Sequence, residues 1–274
     1  MEFPLKKLVF LMLQFQTKMA GAGRVVVVTG ASRGIGYSIA KELAVRMPGA
    51  NLYLTTRQAR NVQALEATLK RDIGAAGDNV KFRMMDVKDK KSISKFAEVL
   101  KKKHNRLDIL VNNAGYFTKS PTSVHEAERM PLYYNDVEEI IKTNYMGLKT
   151  VTESFVPCLG QNSRIINISS HLAQLNVFDP ADPSSAQLAD SFSDPNLTPP
   201  MLDSIMKSYL SSVKSGKWSS TGWPACAYSV SKVAVNTYTR ILQVNKPTIN
   251  YDTWGCLCEL LRIFFSVKLG PEKV

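Results

Sequence analysis

Residues 25–36 read VVVVTGASRGIG, and this stretch decides the fold class. Four consecutive valines are typical of a strand that is buried on both faces of a parallel sheet. The glycines that follow, Gly30, Gly34 and Gly36, have the spacing Gly-x-x-x-Gly-x-Gly, and a helical pattern of apolar residues begins directly after them. Glycines between a strand and a helix let the backbone approach a pyrophosphate at the positive end of the helix. The stretch therefore predicts a dinucleotide site between a buried strand and a helix.

The alternation of strand and helix patterns continues as far as residue 170. We predict further strands over residues 51–56, 80–84, 109–111 and 164–168, and further helices over residues 62–73, 92–100 and 137–156. Strictly alternating elements are joined by right-handed crossovers, which build a parallel sheet with helices on both faces. The sequence thus predicts an α/β fold, a Rossmann-type doubly wound parallel sheet in a single domain.

Residues 171–224 interrupt this alternation as an inserted segment. The segment is rich in Ser, Pro and Asp up to residue 200, and apolar residues then recur at helical spacing over residues 201–213. Because a strand precedes it and a helix of the same sheet follows, we interpret it as an inserted lid or surface subdomain rather than a linker. We expect residues 1–23 to be a disordered leader, and residues 24–274 to be one Rossmann-type domain with a divergent tail at residues 244–274.

Composition and charge limit the class of protein. The chain has 274 residues, 45% of them apolar, and a formal net charge of +12. No stretch approaches the roughly eighteen apolar residues of a membrane span, so we expect no membrane partner. The four cysteines show no Cys-x-x-Cys spacing and no histidine cluster, so we expect no metal site and a reducing, cytoplasmic setting. The basic excess fits either a solvated surface or attraction for a phosphate-rich cofactor, and without a nucleic-acid motif we expect no nucleic-acid partner.

The end of the second strand indicates which dinucleotide binds. An enzyme that reads the free ribose hydroxyls of NAD places Asp or Glu there, whereas this chain has Thr55, Thr56 and Arg57. Arg33 lies in the glycine turn, and two guanidinium groups can bracket a 2′-phosphate with charge-assisted hydrogen bonds. We therefore predict NADPH as the cofactor, with two solvated surface arginines as the alternative interpretation. Asp86, after the third strand, is expected to accept a hydrogen bond from the adenine amino group.

Two Tyr-x-x-x-Lys pairs occur in the chain, and their context separates them. Tyr228 and Lys232 stand one helical turn apart, downstream of a strand that ends in Ser170. Tyr145 and Lys149 have the same spacing, but no serine-bearing strand precedes them. We interpret the first pair as a candidate catalytic pair and the second as ordinary helix surface or packing.

Five short motifs, in this order, resemble those of the short-chain dehydrogenase/reductase family. They are Thr29 to Gly36, Asn112-Asn113-Ala114-Gly115, Lys142-Thr143-Asn144, Asn167-Ile168-Ser169-Ser170 and Tyr228-Ser229-Val230-Ser231-Lys232. Within the family, the long insertion before the tyrosine makes the chain look most like the monomeric NADPH carbonyl reductases. The resemblance covers roughly residues 24–242.

The resemblance implies a role for each of four catalytic residues. Tyr228 would donate a proton to the carbonyl oxygen while NADPH delivers a hydride to the carbon. Lys232 would lower the pKa of that phenol, which is near 10 in a free tyrosine, and would hold the nicotinamide ribose. Ser170 would hydrogen-bond the substrate oxygen, with Ser169 in a structural role. Asn144 would hold a water that links Lys232 to solvent.

The resemblance also implies the cofactor site, the substrate class and the assembly. The cofactor-binding residues would be Gly30, Ser32, Arg33, Gly34, Ile35, Gly36, Arg57, Asp86, Val87, Asn112, Ala114, Gly115, Tyr228 and Lys232. The substrate would be a small carbonyl compound, an aldehyde, ketone or quinone, in a pocket built by the insertion and by residues 116–124. A monomer is expected, because the insertion would cover the helix face that usually forms the dimer.

After Leu242 the chain departs from the family. The family continues with a sixth strand, a Pro-Gly-containing turn and a seventh strand, and we expect both strands to be lost in this chain. Their loss would expose the fifth strand as an apolar edge and remove part of the floor under the nicotinamide. Two functions therefore stay open, an NADPH-dependent carbonyl reductase and an inactive truncated isoform that only binds cofactor or a partner chain.

Overall fold

A computed structural model describes residues 23–58, 62–117, 132–245 and 249–256 of the chain. Its strands are β1 (Val25–Val28), β2 (Asn51–Thr56), β3 (Val80–Met84), β4 (Leu107–Asn112), β5 (Leu159–Ser170) and β6 (Asn250–Cys256). They form one sheet in the order β3-β2-β1-β4-β5-β6. β1 pairs in parallel with both β2 and β4, so that Val26 lies opposite Leu52 on one side and Ile109 on the other. The predicted doubly wound α/β fold is confirmed.

Eight α-helices lie within the described residues. They are α1 (Gly34–Arg46), α2 (Val62–Ile73), α3 (Lys90–His104), α4 (Tyr134–Ile141), α5 (Leu148–Phe155), α6 (Pro183–Ser193), α7 (Pro199–Lys214) and α8 (Ala227–Asn245). A π-helix, Lys142–Gly147, joins α4 to α5, where the sequence predicted one continuous helix. Of the helices that the structure describes, none has both the length and the apolarity needed to cross a membrane.

By its internal packing the chain divides into two compact units, and the first contains most of the sheet. It comprises Met1–Ala114, Gly147–Ile166 and Thr248–Asn250, as far as these residues are described. All four valines of β1 are completely buried. Helix α1 packs on β2, α2 on β3 and α5 on β4. This core holds the carboxyl end of β1, where the glycine turn begins, in a fixed position.

The second unit is organised around α8. It comprises Gly115–Met146, Asn167–Pro247 and Tyr251–Val274, again as far as described. Helix α8 packs against α4, α6 and α7. The inserted segment contains two helices, α6 and α7, of which the sequence predicted only the second. Four aromatic rings with centroids 4.7–6.3 Å apart anchor both helices, namely Phe178, Phe192, Tyr209 and Trp223.

The expected loss of the sixth strand is wrong. β6 occupies the position beside β5 at the end of the sheet, and the backbone N–H of Tyr251 in β6 donates to Gln243 Oε1 of α8 at 3.1 Å. A strand pairs through its backbone groups, so a sequence unlike the family's can still form this edge. Of the expected leader at residues 1–23, only Gly23 is described. The expected loss of the seventh strand concerns residues 257–274, which lie outside the described residues.

Candidate active site

The glycine turn after β1 is tied to the end of β4 by hydrogen bonds in both directions. Thr29 Oγ1 accepts from the backbone N–H groups of Asn113 and Ala114, each at 3.0 Å. Asn113 Nδ2 donates to the carbonyl oxygens of Thr29 and Gly30, again at 3.0 Å each. Two of the sequence motifs thus form one local structure.

Close backbone packing explains two of the glycines. Gly30 has φ of +64°, and a Cβ added to it would lie 2.7 Å from the Cα of Ala114. A Cβ added to Gly36 would overlap the side-chain amide of Asn113 and lie 2.7 Å from the carbonyl oxygen of Gly30. Any larger residue at these positions would displace the groups that hold the turn.

Helix α1 begins with an N-terminus suited to an anion. Its N-cap residue, Arg33, is extended, no side chain of the described residues caps the helix, and the first turn contains no acidic residue. The first N–H groups of a helix point outward at the positive end of its dipole, which favours a bound phosphate. Arg33 and Arg57 both have exposed side chains. The backbone N–H groups at the start of α1 fit the pyrophosphate of a dinucleotide, and the guanidinium groups of Arg33 and Arg57 fit a further phosphate.

Three further predicted cofactor residues of the first unit lie just after β3 or at the end of β4. Asp86 Oδ1 accepts from the backbone N–H of Lys88 at 2.9 Å, which fixes the direction of the carboxylate. Val87 is buried beside it. Asn112 is 3% exposed, and its Nδ2 donates to Thr152 Oγ1 of α5 at 2.9 Å. The side chain of Asn112 therefore anchors the end of β4 to α5.

Tyr228 and Lys232 lie in the first two turns of α8. Lys232 is 4% exposed, and its Nζ donates to the carbonyl oxygen of Ile168 in β5 at 2.7 Å. The same Nζ lies 5.7 Å from the centroid of the Tyr228 ring. The structure therefore places a buried positive charge beside a half-buried phenol.

Asn144 links this pair to the chain that follows β4. It lies in the π-helix and is 1% exposed. Its Oδ1 accepts from the backbone N–H of Tyr116 at 2.7 Å, and its Nδ2 donates to the Tyr116 carbonyl and to Ser231 Oγ, each at 3.0 Å. Ser231 Oγ in turn donates to the carbonyl oxygen of Tyr228 at 2.7 Å. Three segments that are remote in sequence are thus joined around Tyr228.

The two serines at the end of β5 differ in their surroundings. Ser169 is 2% exposed, and its Oγ donates to the carbonyl oxygen of Lys232 at 3.5 Å. Ser170 is at the end of the strand, and its Oγ accepts from the backbone N–H of Leu172 at 3.1 Å. This arrangement agrees with a structural role for Ser169, while Ser170 retains a hydroxyl proton to donate.

The second Tyr-x-x-x-Lys pair serves packing, as predicted. Tyr145 is completely buried, its hydroxyl donates to Asp203 Oδ1 at 2.8 Å, and its ring packs edge-on against Tyr238. Lys149 forms an ion pair with Glu153 at 3.2 Å. Each of these side chains has a structural partner.

Cys226, two residues before Tyr228, and Tyr209 of the inserted segment are also engaged in packing. Cys226 is half-buried, and its Sγ accepts from Ser229 Oγ at 3.1 Å. Burial, and to a smaller extent Cys226, raises the pKa of Tyr209 above its ordinary value. The Tyr209 phenol therefore stays protonated, and its ring forms part of the aromatic cluster within the inserted segment.

Sequence reasoning missed two neighbours of Tyr228. Phe117 packs its ring at 87° to the Tyr228 ring with centroids 4.8 Å apart, although the residues are far apart in the chain. Ser231 was seen only as part of the motif, and its hydrogen bond to Asn144 has no sequence signature. A stretch of 116–124 was predicted to line the pocket, and of these residues the structure describes only Tyr116 and Phe117.

The two groups of predicted site residues belong to different units. Gly115, Asn144, Ser170, Tyr228 and Lys232 lie in the second unit, and the structure brings the last two together with Asn144 through Ser231. The other predicted cofactor residues lie in the first unit. They are Gly30, Ser32, Arg33, Gly34, Ile35, Gly36, Arg57, Asp86, Val87, Asn112 and Ala114.

Comparison with known proteins identifies the family. The short chain dehydrogenase family matches residues 24–181. The (+)-neomenthol dehydrogenase of Arabidopsis thaliana is 35% identical over 241 residues, which cover 82% of this chain and 79% of that protein. Carbonyl reductase (NADPH) 3 of Homo sapiens is 33% identical over 224 residues, which cover 82% of this chain and 75% of that protein.

A solved structure agrees with these relatives. Menthone neomenthol reductase from Mentha piperita matches with a TM-score of 0.74 at 32% identity, covering 84% of this chain and 88% of that chain. The match to the family covers more than half of the chain, and it includes the glycine turn, Asn144 and Ser170. The chain therefore belongs to the short-chain dehydrogenase family of oxidoreductases, whose members bind a nicotinamide cofactor.

Proposed function

We propose that the chain is an NADPH-dependent carbonyl reductase that converts an aldehyde, ketone or quinone to the alcohol. The observation that carries this proposal is the buried Lys232, held by the Ile168 carbonyl with its Nζ 5.7 Å from the Tyr228 ring. Burying an ammonium group costs free energy that hydrogen bonds such as this one only partly offset, and buried ionisable groups of this kind are candidates for functional sites. The human relative, whose name gives both NADPH and carbonyl reduction, supports the same activity.

The chemistry assigns one task to each side chain. The nicotinamide, when bound, supplies the hydride that adds to the carbonyl carbon. Tyr228 donates its phenolic proton to the carbonyl oxygen, so that the C=O bond becomes a CH–OH group. Lys232 stabilises the negative charge that this transfer leaves on Tyr228. Ser170 donates a hydrogen bond to the same carbonyl oxygen and stabilises the charge that develops there.

Asn144 completes the proton path in this proposal. Its side chain holds the Tyr116 backbone and Ser231. Asn144 lies in the π-helix Lys142–Gly147, and π-helices frequently occur at functional sites. We assign to Asn144 a water that carries protons from solvent towards Lys232, so that Tyr228 is reprotonated after each turnover.

NADPH rather than NADH is proposed because of charge at the adenosine end of the site. β2 ends at Thr56, and Arg57 follows with an exposed side chain, where an NAD enzyme carries an acidic residue. Arg33 presents a second guanidinium group at the N-terminus of α1.

We also propose that the protein is a monomer and that it is cytoplasmic. Gel filtration would test the first proposal, and cell fractionation would test the second.

The first test of the function is NADPH oxidation by the purified chain with menadione as the carbonyl acceptor. We expect turnover, and we expect Tyr228→Phe to reduce it by about 10²- to 10⁴-fold, the contribution of a positioned general acid. Tyr145→Phe is the matched control, since it removes the hydroxyl of the other Tyr-x-x-x-Lys pair, and it should retain turnover. Folded wild-type protein that binds NADPH without reducing any of several carbonyl acceptors would instead support the inactive, cofactor-binding isoform.

A second test separates NADPH from NADH. Arg57→Ala should lower kcat/KM for NADPH by about tenfold or more, the loss of a charge-assisted hydrogen bond, while kcat/KM for NADH stays unchanged. Arg71→Ala provides the control, because its side chain is 77% exposed on α2. Equal effects of Arg57→Ala on both cofactors would argue against recognition of the 2′-phosphate.

A further inference from the structure

Phe117 occupies an unusual position beside the proposed proton donor. It has 53% of its surface exposed, although it is a large apolar residue. Part of its ring meets the Tyr228 ring edge-to-face, with centroids 4.8 Å apart and an interplanar angle of 87°. An exposed aromatic surface next to a reactive group offers a ligand an apolar contact.

The position of Phe117 is built by hydrogen bonds rather than left to a loose loop. The preceding residue, Tyr116, is held at both its backbone N–H and its carbonyl by Asn144. Asn144 also donates to Ser231, which donates to the carbonyl oxygen of Tyr228. This bridge of buried groups fixes the backbone next to Phe117 relative to the backbone of Tyr228.

We propose that Phe117 is a specificity residue that favours carbonyl compounds with an aromatic ring attached directly to the carbonyl carbon. In this inference, which rests on the proposed function, the carbonyl oxygen accepts the hydrogen bond of Tyr228 while the attached ring packs on the exposed part of Phe117. An aryl ring is flat and lies in the plane of its carbonyl group. It can therefore keep an aromatic contact with Phe117 that a puckered aliphatic ring of the same size cannot make.

The size of the effect follows from the type of contact. An aromatic pair contributes about 0.5–1.5 kcal/mol beyond the area that it buries, which corresponds to about a two- to tenfold change in kcat/KM. Loss of the general apolar wall should affect aromatic and aliphatic substrates alike. The aromatic contribution alone should change the ratio between them.

The experiment compares benzaldehyde with cyclohexanecarbaldehyde, at saturating NADPH, in the wild type, Phe117→Ala and Phe117→Leu. The ratio of the two kcat/KM values, compared between variant and wild type, cancels the intrinsic reactivities of the two aldehydes. We expect this ratio to fall about two- to tenfold in both variants, because leucine restores apolar bulk without an aromatic ring. Tyr133→Ala, at another aromatic residue of the second unit that is 63% exposed, is the control and should leave the ratio unchanged.

An unchanged ratio, with equal losses on both aldehydes, would overturn the inference and show that Phe117 only positions Tyr228. Turnover of cyclohexanecarbaldehyde by each variant also shows that the variant is folded. If the wild type reduces menadione but neither aldehyde, the proposed function stands, and binding of the corresponding alcohols decides the inference. If it reduces no carbonyl acceptor, the proposed function fails, and the same binding measurement decides the inference separately. Ligand-detected NMR should then show tighter binding of benzyl alcohol than of cyclohexylmethanol, and Phe117→Ala should remove that preference. Equal binding of both alcohols to the wild type would overturn the inference as well.

Discussion

Replacing Gly36 by alanine gives the sharpest test of how the glycine turn is held. Gly36 is buried in the first turn of α1, where alanine would ordinarily be the better helix former by about 0.5–1 kcal/mol. In this structure, the new Cβ would overlap the Asn113 amide and lie 2.7 Å from the Gly30 carbonyl oxygen. The substitution should therefore destabilise the protein, against the helix propensity.

The expected cost follows from what the Asn113 amide does. Its Nδ2 donates to the carbonyl oxygens of Thr29 and Gly30, each at 3.0 Å. Losing both hydrogen bonds costs about 2 kcal/mol, at about 1 kcal/mol each. Overpacking against the Gly30 carbonyl adds about 1–3 kcal/mol. After the gain in helix propensity is subtracted, Gly36→Ala should lower the free energy of unfolding by about 2–4 kcal/mol.

Gly34→Ala is the matched control, because it adds the same methyl group two residues earlier. Gly34 has φ of +59°, but, apart from its chain neighbours and the nearby backbone of its own helix, no heavy atom of the described residues lies within 4 Å of the added Cβ. Its cost is therefore backbone strain alone, about 1–2 kcal/mol. Urea unfolding at constant pH, followed by circular dichroism, gives both values.

A double-mutant cycle with Asn113→Ala then isolates the cause. In the Asn113→Ala background, the amide that Gly36→Ala would displace is already absent, so the second substitution should cost about 2 kcal/mol less than it does in the wild type. Additive costs would refute the proposed contact between position 36 and Asn113. If Gly36→Ala lowers the free energy of unfolding no more than Gly34→Ala does, the predicted steric overlap at position 36 is refuted.

Two further predictions concern stability away from the turn. Arg240→Met should lower the free energy of unfolding, measured by urea unfolding, by about 1–3 kcal/mol. The reason is that the guanidinium group donates to the carbonyl oxygens of Phe192 and Ser193, both at 2.7 Å, at the end of α6. Arg240→Lys should recover only part of this loss, and full recovery would contradict a role for two separate guanidinium N–H donors. The pKa of His104 is lowered below its ordinary value of 6.5, first by burial and then by the charge of Lys103. As the pH drops through about 6.5, His104 therefore takes up a proton in the unfolded chain before it does so in the folded protein, and the free energy of unfolding falls. NMR titration should give a midpoint below 6.5 that Lys103→Gln moves upward, and a midpoint at or above 6.5 would contradict this.

Long apolar runs made most of the sheet predictable. The predicted bounds of β2 and β3 agree with the structure, because both strands lie at positions where burial demands continuous or alternating apolar residues. The glycine turn was predictable for the same reason, since few sequences satisfy a buried strand, a close backbone approach and a helix start together. Burial restricts a strand to apolar residues, and this restriction made these elements recognisable in the sequence.

The elements that were missed depend on contacts remote in sequence. The π-helix Lys142–Gly147 shifts backbone hydrogen bonds by one residue, which the spacing of apolar residues does not record. Helix α6 contains few apolar residues, and tertiary contacts hold it instead, with Phe192 in the aromatic cluster and Arg240 at its end. Asp182 followed by Pro183 was the available signal, because an N-cap acid before a proline at the first turn marks a helix start.

The catalytic motif was predictable as a pattern, but not as a structure. The spacing of Tyr228 and Lys232 follows from one helical turn, whereas the contact of Phe117 with Tyr228 depends on how the chain returns after β4. That return is fixed by Asn144, which holds Tyr116 on one side and Ser231 on the other. No local pattern encodes a hydrogen-bond bridge between three separate segments.

The divergent tail shows that a chain can lose a family's sequence motif without losing the strand that the motif usually forms. The family's sixth strand was expected to be missing, because residues after Leu242 do not match the family. Yet Asn250–Cys256 forms β6 beside β5, and Tyr251 bonds to Gln243 of the helix that carries Tyr228 and Lys232. An exposed apolar strand is an aggregation hazard, and any sequence able to pair by its backbone removes it. The requirement on the sheet edge is therefore much weaker than the requirement on the catalytic side chains. A chain can lose the family's sequence at β6 and still keep the support for α8 on which the proposed reductase activity depends.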